Sequence, residues 1–327
     1  VSGLWLLAAA ALDWLVGDPP RPTHPVVVMG RLATLLERLL WRQGPALLQR
    51  LRGGILTLLV VGGTLAFSVL VLKLLAPFWI GAGLALWWLG ASFAARGLYD
   101  HALAVEQRLR LQDLAGARIA VGRIVGRDTD RLSAPEVARA CIESVAENTG
   151  DGVLAPLLYA ALGAALQPWG LSPVAGAAAF ALAYKAVNTL DSMLGYRSER
   201  YLWFGWASAR LDDLVNFIPA RFAPLAVAVA APLVGGSPLQ ALRTALRDGH
   251  RHQSPNSGLL EAAYAGALGI RLGGPTAYGG VVHQRATIGV GRRELDVQAI
   301  ARARHLLAAT SALAVVGLSA VLWAVRP

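Results

Sequence analysis

Cysteine is nearly missing from this chain of 327 residues: Cys141 stands alone, which excludes a disulfide framework and any cysteine-based zinc or iron–sulfur site within one chain. Lysine is almost as scarce, with Lys73 and Lys185 its only examples, so the formal charge of +10 rests on arginine. Arginine suits forked contacts to phosphate and carboxylate, although loops at a membrane surface also collect it whatever the function. Charged residues of both signs make up 15% of the chain against 55% hydrophobic, too little charge for a soluble or a disordered protein. Neither lysine sits in a Gly-x-x-x-x-Gly-Lys-Ser/Thr loop, so any nucleotide site is of another kind. Also missing are His-Glu-x-x-His and Gly-x-Ser-x-Gly, the marks of zinc proteases and serine hydrolases. The arginines are scattered rather than gathered in a readable motif, which speaks against nucleic-acid binding.

What the chain does have is uncharged runs of membrane-spanning length and a positive mean hydropathy of +0.50. These predict an all-α, polytopic α-helical membrane protein with amphipathic cytoplasmic helices and loops, a single membrane-embedded domain over residues 1–327. Residues 1–12, without a basic leading region, read as a retained hydrophobic helix. Residues 53–72 and 74–95 read as a transmembrane hairpin about Lys73 and residues 76–78. Arg38, Arg42, Arg50 and Arg52 before it and Arg96, Arg108 and Arg110 after it put both outer ends in the cytoplasm. The expected location is the cell (inner) membrane, multi-pass, with the active site facing the cytoplasm. Segments 97–151 and 188–213 would then be cytoplasmic and carry site residues, and 243–305 would be a polar cytoplasmic loop region. Residues 152–184 suggest a second hairpin turning at 167–170. Residues 222–242, interrupted by prolines, suggest a crossing or a re-entrant segment, and 306–325 a final span.

The polar residues fall into constellations. Asp18, Arg21 and His24 share a proline-stiffened loop, either a presenting loop or a plain connector. Ser133-Ala-Pro-Glu136 is a capping box that starts a helix, and Gly150 is a natural stop for it. Glu143 and Glu147 then share one helical face, where like charges cost about 0.2–0.5 kcal/mol unless a cation sits beside them. Arg139 or magnesium could be that cation, and Asn148 and Asp151 add oxygen ligands; the alternative is a solvated charged face. Lys185, Asn188, Asp191 and Ser192 lie on roughly one side of a helix, followed by Arg210, Asp212, Asp213 and Asn216. Ser254-Pro-Asn256-Ser257 precedes a glycine-rich stretch, 273–280, containing Tyr278, whose amides could hold phosphate or simply form a connector. His250 and His252 have no third ligand nearby in sequence, so a zinc site is not expected.

Five stretches in order (17–26, 143–152, 184–196, 209–216 and 254–258) resemble the adenosylcobinamide-phosphate synthase family of cobalamin biosynthesis, nearly end to end. The resemblance implies an integral membrane enzyme that uses ATP and magnesium to join aminopropanol, or its O-phosphate, to the propionate carboxylate of adenosylcobyric acid. It implies partners in the lipid bilayer and leaves open self-association or association with other corrinoid-pathway enzymes. On that reading Glu143, Glu147, Asp191, His24 and Lys185 are the catalytic candidates, and Glu143, Glu147, Asn148, Asp151 and Asp212 the metal candidates. Asp18, Arg21, Asn188, Arg210, Asp213, Asn216, Ser254, Asn256, Ser257 and Tyr278 are the substrate-binding candidates. The competing readings are a membrane prenyl- or alcohol-phosphotransferase, with Asp212-Asp213-x-x-Asn216 as its acidic motif, and a non-enzymatic transporter, whose polar groups would sit at mid-span.

Overall fold

The computed structural model describes residues 2–18, 22–196 and 198–325. In chain order the helices are α1 (Ser2–Val16), α2 (Pro25–Leu40), α3 (Ala46–Leu74), α4 (Trp79–Gly90), α5 (Ala95–Arg110), α6 (Leu114–Val121) and α7 (Ala134–Thr149). They continue with α8 (Ala155–Leu166), α9 (Pro173–Leu194), α10 (Trp206–Val215), α11 (Phe217–Ala230), α12 (Pro238–Asp248), α13 (Ser257–Leu268) and α14 (Val297–Val325). Between α13 and α14 lies a hairpin of β1 (Leu272–Tyr278) and β2 (Val281–Ile288). Among the described residues four helical runs are long and apolar enough to cross a membrane: Ala46–Leu74, Ala134–Leu166, Phe217–Val234 and Val297–Val325. The protein is a polytopic α-helical membrane protein.

Where the sequence suggests one domain, contacts divide the chain into two compact units. The first comprises Val1–Ala94, Ala155–Asn216 and Val315–Pro327, the second Ala95–Leu154 and Phe217–Ala314.

In the first unit α9 is central and packs against α2, α3, α4, α8 and α10. It starts cleanly because the Ser172 hydroxyl accepts the Ala175 N–H and Pro173 occupies the first turn. Its alanine-rich face admits close neighbours. At the crossing with α8, a Cβ on Gly163 would lie 2.1 Å from the Gly176 carbonyl oxygen, and one on Gly176 2.3 Å from that of Gly163. Only glycine allows this backbone-to-backbone approach, the device by which membrane helices gain contact. The α8–α9 pair is the hairpin expected over 152–184, turning through Pro168–Gly170. Met29, Ala33, Leu56, Val60, Leu182, Ala186, Leu190, Leu194 and Phe204 form the core beneath it. The expected span 74–95 is shorter than its uncharged run: α4 covers 12 residues and the chain turns at residues 91–94 before α5.

In the second unit the Ser133–Glu136 cap is present, the Glu136 carboxylate accepting the Ser133 N–H at 2.8 Å and its hydroxyl at 2.7 Å. Gly150 does not stop the helix. A stopping glycine turns left-handed, but Gly150 has φ −68° and ψ −63°, and the chain passes through a π-turn, Gly150–Leu154, into α8. The stretch 243–305, expected as a polar loop region, is largely structured: it holds the end of α12, all of α13, the β-hairpin and the start of α14. Most of α13 is buried, including Glu261 and Tyr264. The glycine-rich stretch 273–280 is likewise a strand and turn rather than a loop. Gly279 and Gly280, at φ +57° and +80°, make the two-residue connection whose twist matches an antiparallel pair, and Tyr278 pairs with Val281 across it. Asp128 fastens this tip, its carboxylate accepting the Gly279 N–H at 3.1 Å and the Gly280 N–H at 2.7 Å.

Candidate functional site

A chain of alternating charges runs through the second unit, from α7 to the hairpin and on to α13. On α7, Glu143 is 1% exposed. Its Oε2 lies 2.6 Å from Arg127 Nη2 and 3.1 Å from Arg285 Nη1, and its Oε1 accepts the Gly273 N–H at 2.7 Å. Arg139, one turn earlier on α7, donates to the carbonyl of Gly273 and, at 2.8 Å, to that of Pro275. Arg285 on β2 carries the chain onward, Nη2 reaching Glu261 Oε1 on α13 at 2.8 Å. The same guanidinium meets His252, whose Nε2 stands 3.6 Å from Glu261 Oε1. Charges this deep persist only when paired and hydrogen-bonded, and here each guanidinium has a carboxylate or backbone carbonyls against it.

The cluster shifts its own titrations. Burial pushes the Glu261 carboxyl up to about 8; Arg285 pulls it back, while Glu143 and Glu147 push it further up. Burial and then the Arg285 charge hold His252 below its ordinary range, so its imidazole is neutral. For Arg285 burial opposes the charge, but Glu261 and Glu143 outweigh it and keep the guanidinium firmly protonated.

Several expected site residues meet at the edge of this cluster. Glu147, one turn beyond Glu143 and half-buried, accepts the Ser257 hydroxyl at 3.2 Å through Oε1. The Ser254 hydroxyl oxygen accepts the N–H groups of Asn256 and Ser257, each at 3.3 Å, and lies 3.3 Å from the Ser257 hydroxyl. Asn256 Oδ1 accepts from Arg221 at 3.1 Å. Asn148 donates from its amide nitrogen to the Ser144 carbonyl at 2.9 Å, and Asp151 follows in the π-turn, half-buried. Tyr278 ends β1, its ring 5.8 Å from that of His283.

The other expected residues belong to the first unit. His24 is the N-cap of α2: its Nδ1 accepts the Val26 N–H at 3.2 Å, and its Nε2 is 3.9 Å from Asp18 Oδ1. Arg21 lies outside the described residues. On α9, Lys185 Nζ donates to Asn188 Oδ1 at 3.2 Å, and Asp191 sits at the end beside Gly195. Tyr184 donates to Asn216 Oδ1 at 2.9 Å, and Asn216 donates to Asp212 Oδ2 at 3.0 Å. Arg210 pairs with Asp213 at 3.1 Å on exposed α10 surface.

The arrangement revises the metal set. Both oxygens of Glu143, an expected ligand, are engaged by two guanidiniums and an amide, so it acts as a counter-ion for the hairpin. Among the described residues no three His, Cys, Asp or Glu side chains gather to hold a metal ion. Magnesium does not require such a cage, because it keeps waters and substrate phosphates and takes one or two protein carboxylates. Glu147 and Asp151, one turn apart, with Asn148 beside Glu147, all half-buried, are the groups that could meet that smaller demand. The sequence patterns assign Arg127 and Arg285 no role and bring in His252 only as a rejected zinc ligand. No spacing rule joins residues 127, 143, 261 and 285; the hairpin brings them together.

Fold and cluster together define a multi-pass α-helical membrane protein with a buried ionic network beside a group of hydrogen-bonded serines and Glu147. The profile of the CobD/Cbib protein family matches residues 6–307, and the chain belongs to that family. It is 46% identical over 317 residues to "Cobalamin biosynthesis protein CobD" of Pelobacter propionicus, covering 96% of this chain and 94% of that protein. It is 47% identical over 302 residues to the protein of the same name in Geobacter metallireducens, covering 91% and 90%. "Cobalamin biosynthesis protein CbiB" of Salmonella typhimurium is 42% identical over 313 residues, covering 95% and 94%. No solved structure matches.

Proposed function

We propose that this chain acts in cobalamin biosynthesis as an amide-forming ligase. It joins aminopropanol or its O-phosphate to the propionate carboxylate of adenosylcobyric acid, driven by ATP with magnesium, at the cytoplasmic face of the inner membrane. The observation that carries the reading is a family match spanning residues 6–307, with relatives named for cobalamin biosynthesis along almost their whole length.

The chemistry asks three things of the chain. A carboxylate must be activated by phosphoryl or nucleotidyl transfer, which needs groups that hold and neutralise phosphates. Magnesium, when bound, supplies the larger share of that neutralisation, with Glu147, Asn148 and Asp151 as the residues that would hold it. Ser254 and Ser257 offer hydroxyls beside Glu147 that would orient substrate oxygens. Lys185 and Arg210 remain the cations proposed for the carboxylate or the phosphate of a substrate. Finally the amine must give up a proton before it attacks.

The test is to incubate detergent-purified protein with adenosylcobyrate, ATP, magnesium and each candidate amine, and to weigh the corrinoid and nucleotide products. A corrinoid heavier by the amine less water supports the ligase. Uptake of a corrinoid into proteoliposomes without chemical change supports the transporter instead. Within the ligase reading, Glu147→Gln is expected to lower turnover by about 10²-fold and to raise the magnesium requirement. Wild-type turnover at the wild-type magnesium concentration would remove Glu147 from the machinery.

A further inference from the structure

One carboxylate oxygen in the buried cluster, Glu261 Oε2, has no hydrogen-bond partner among the described residues, although its side chain is 1% exposed. Buried polar atoms are nearly always satisfied, so an orphan carboxylate oxygen calls for a reason, and a catalytic role is one such reason. Its sister Oε1 is taken by Arg285 at 2.8 Å and faced by His252 Nε2 at 3.6 Å. Nδ1 of that ring faces the Ser254 N–H at 3.0 Å, and the Arg285 guanidinium, which can only donate, lies against Nε2. Arg285 thus holds one oxygen of Glu261 and leaves the other to act. Ser257, which bonds Glu147, stands one helical turn before Glu261 on the same face of α13.

We propose that Glu261 is the proton acceptor of the amide-forming step, an assignment that rests on the ligase reading above. Oε2 removes one proton from the ammonium group of the amine substrate, giving a neutral amine and a protonated carboxyl. The nitrogen lone pair then forms the bond to the activated carboxyl carbon. The C–O bond to the phosphate or nucleotide breaks, its electron pair leaves with that group, and the second proton of the nitrogen follows it. Glu261 afterwards returns its proton to water. Arg285 steadies the carboxylate through Oε1 and is a positioning residue.

The groups around Glu261 suit this role. Arg285 faces it from β2, Glu143 and Glu147 from α7, and His252 from the segment ahead of α13. On α12, Asp248 is engaged by Arg247, Arg251 and the Gly289 N–H, and on α11 Arg221 is held by Asn256 and the Phe217 carbonyl. Their balance leaves the carboxyl titrating at about 8, where a base can exist in its working form and still draw a proton effectively near neutrality.

The test compares wild type, Glu261→Gln and Glu261→Asp, full-length and in detergent, in the amide-forming assay from pH 6 to 10. Wild type should rise through an acid limb near pH 8. Glu261→Gln should lose about 10²–10⁴-fold in kcat and lose the limb, with the amine KM changed only a few-fold. Glu261→Asp, which keeps the charge, should retain part of the rate and a displaced limb, a result that a purely structural role would not produce. An active Glu261→Gln with the wild-type limb overturns this assignment and leaves the ligase reading standing. If Glu261→Gln does not fold, an unshifted limb in Glu261→Asp overturns it. A wild-type protein that forms no amide with any amine overturns the ligase reading and this assignment with it.

Discussion

Arg285 Nη1 sits 3.1 Å from Glu143 Oε2, joining residues 142 positions apart in the chain. This contact fixes the β-hairpin to α7, and the same guanidinium goes on to Glu261. Arg285→Ala therefore strands two buried carboxylates at once. Breaking such a pair from one side costs about 3–5 kcal/mol, and thermal unfolding in detergent should show a correspondingly large fall.

The crossing of α8 and α9 predicts a sharper contrast between glycines. Gly163→Ala sets a methyl 2.1 Å from the Gly176 carbonyl oxygen, so the helices must part. Overpacking of this kind costs about 1–3 kcal/mol. Gly63→Ala, within α3 and with nothing within 4 Å of the added methyl, should be neutral or stabilising by up to about 1 kcal/mol. Melting temperatures of the two variants, measured side by side, check both.

The pH dependence of stability has a definite sign at Glu261. Its folded-state value of about 8 lies above the ordinary 4.5, so between these the folded protein binds more protons than the unfolded one. Its contribution is fully present below 4.5 and is lost as the pH rises through about 8. Glu261→Gln, which cannot ionise, should melt increasingly above wild type as the pH moves from 5 to 9, by a few degrees at the alkaline end. Parallel melting curves across that range would contradict the assignment of a buried, weakly acidic carboxyl.

At the hairpin tip the expected effect is local. Asp128→Ala removes the acceptor for the Gly279 and Gly280 N–H groups, so amide exchange at these two positions should quicken while α13 keeps its protection. The overall melting temperature should move little, because the tip is exposed.

Much of the scaffold is written in local patterns. The run before Lys73, the proline-marked turn at 167–170 and the Ser133–Glu136 cap each depend on neighbours within a few positions, and each appears in the structure. Glu147 with Ser254 and Ser257 was also within reach, since short motifs named each of them. The ionic network was not. Glu143 pointed to a metal because an arginine 142 positions later cannot be seen from its own helix. The hairpin hid behind its glycines, although Gly279-Gly280 between Tyr278 and Val281 is a recognisable hairpin signal. Gly150 misled for a physical reason: glycine permits a left-handed stop but does not compel one.

The outer side of β1 has a consequence for how copies of this chain behave together. An open strand edge is a template on which another chain can add itself. Here Glu143 takes the Gly273 N–H, Arg139 covers the Gly273 and Pro275 carbonyls, and Pro275 has no N–H to offer. The outer edge of β1 is thus closed to a third strand, and the side chains that hold it in place also guard that edge against edge-to-edge pairing.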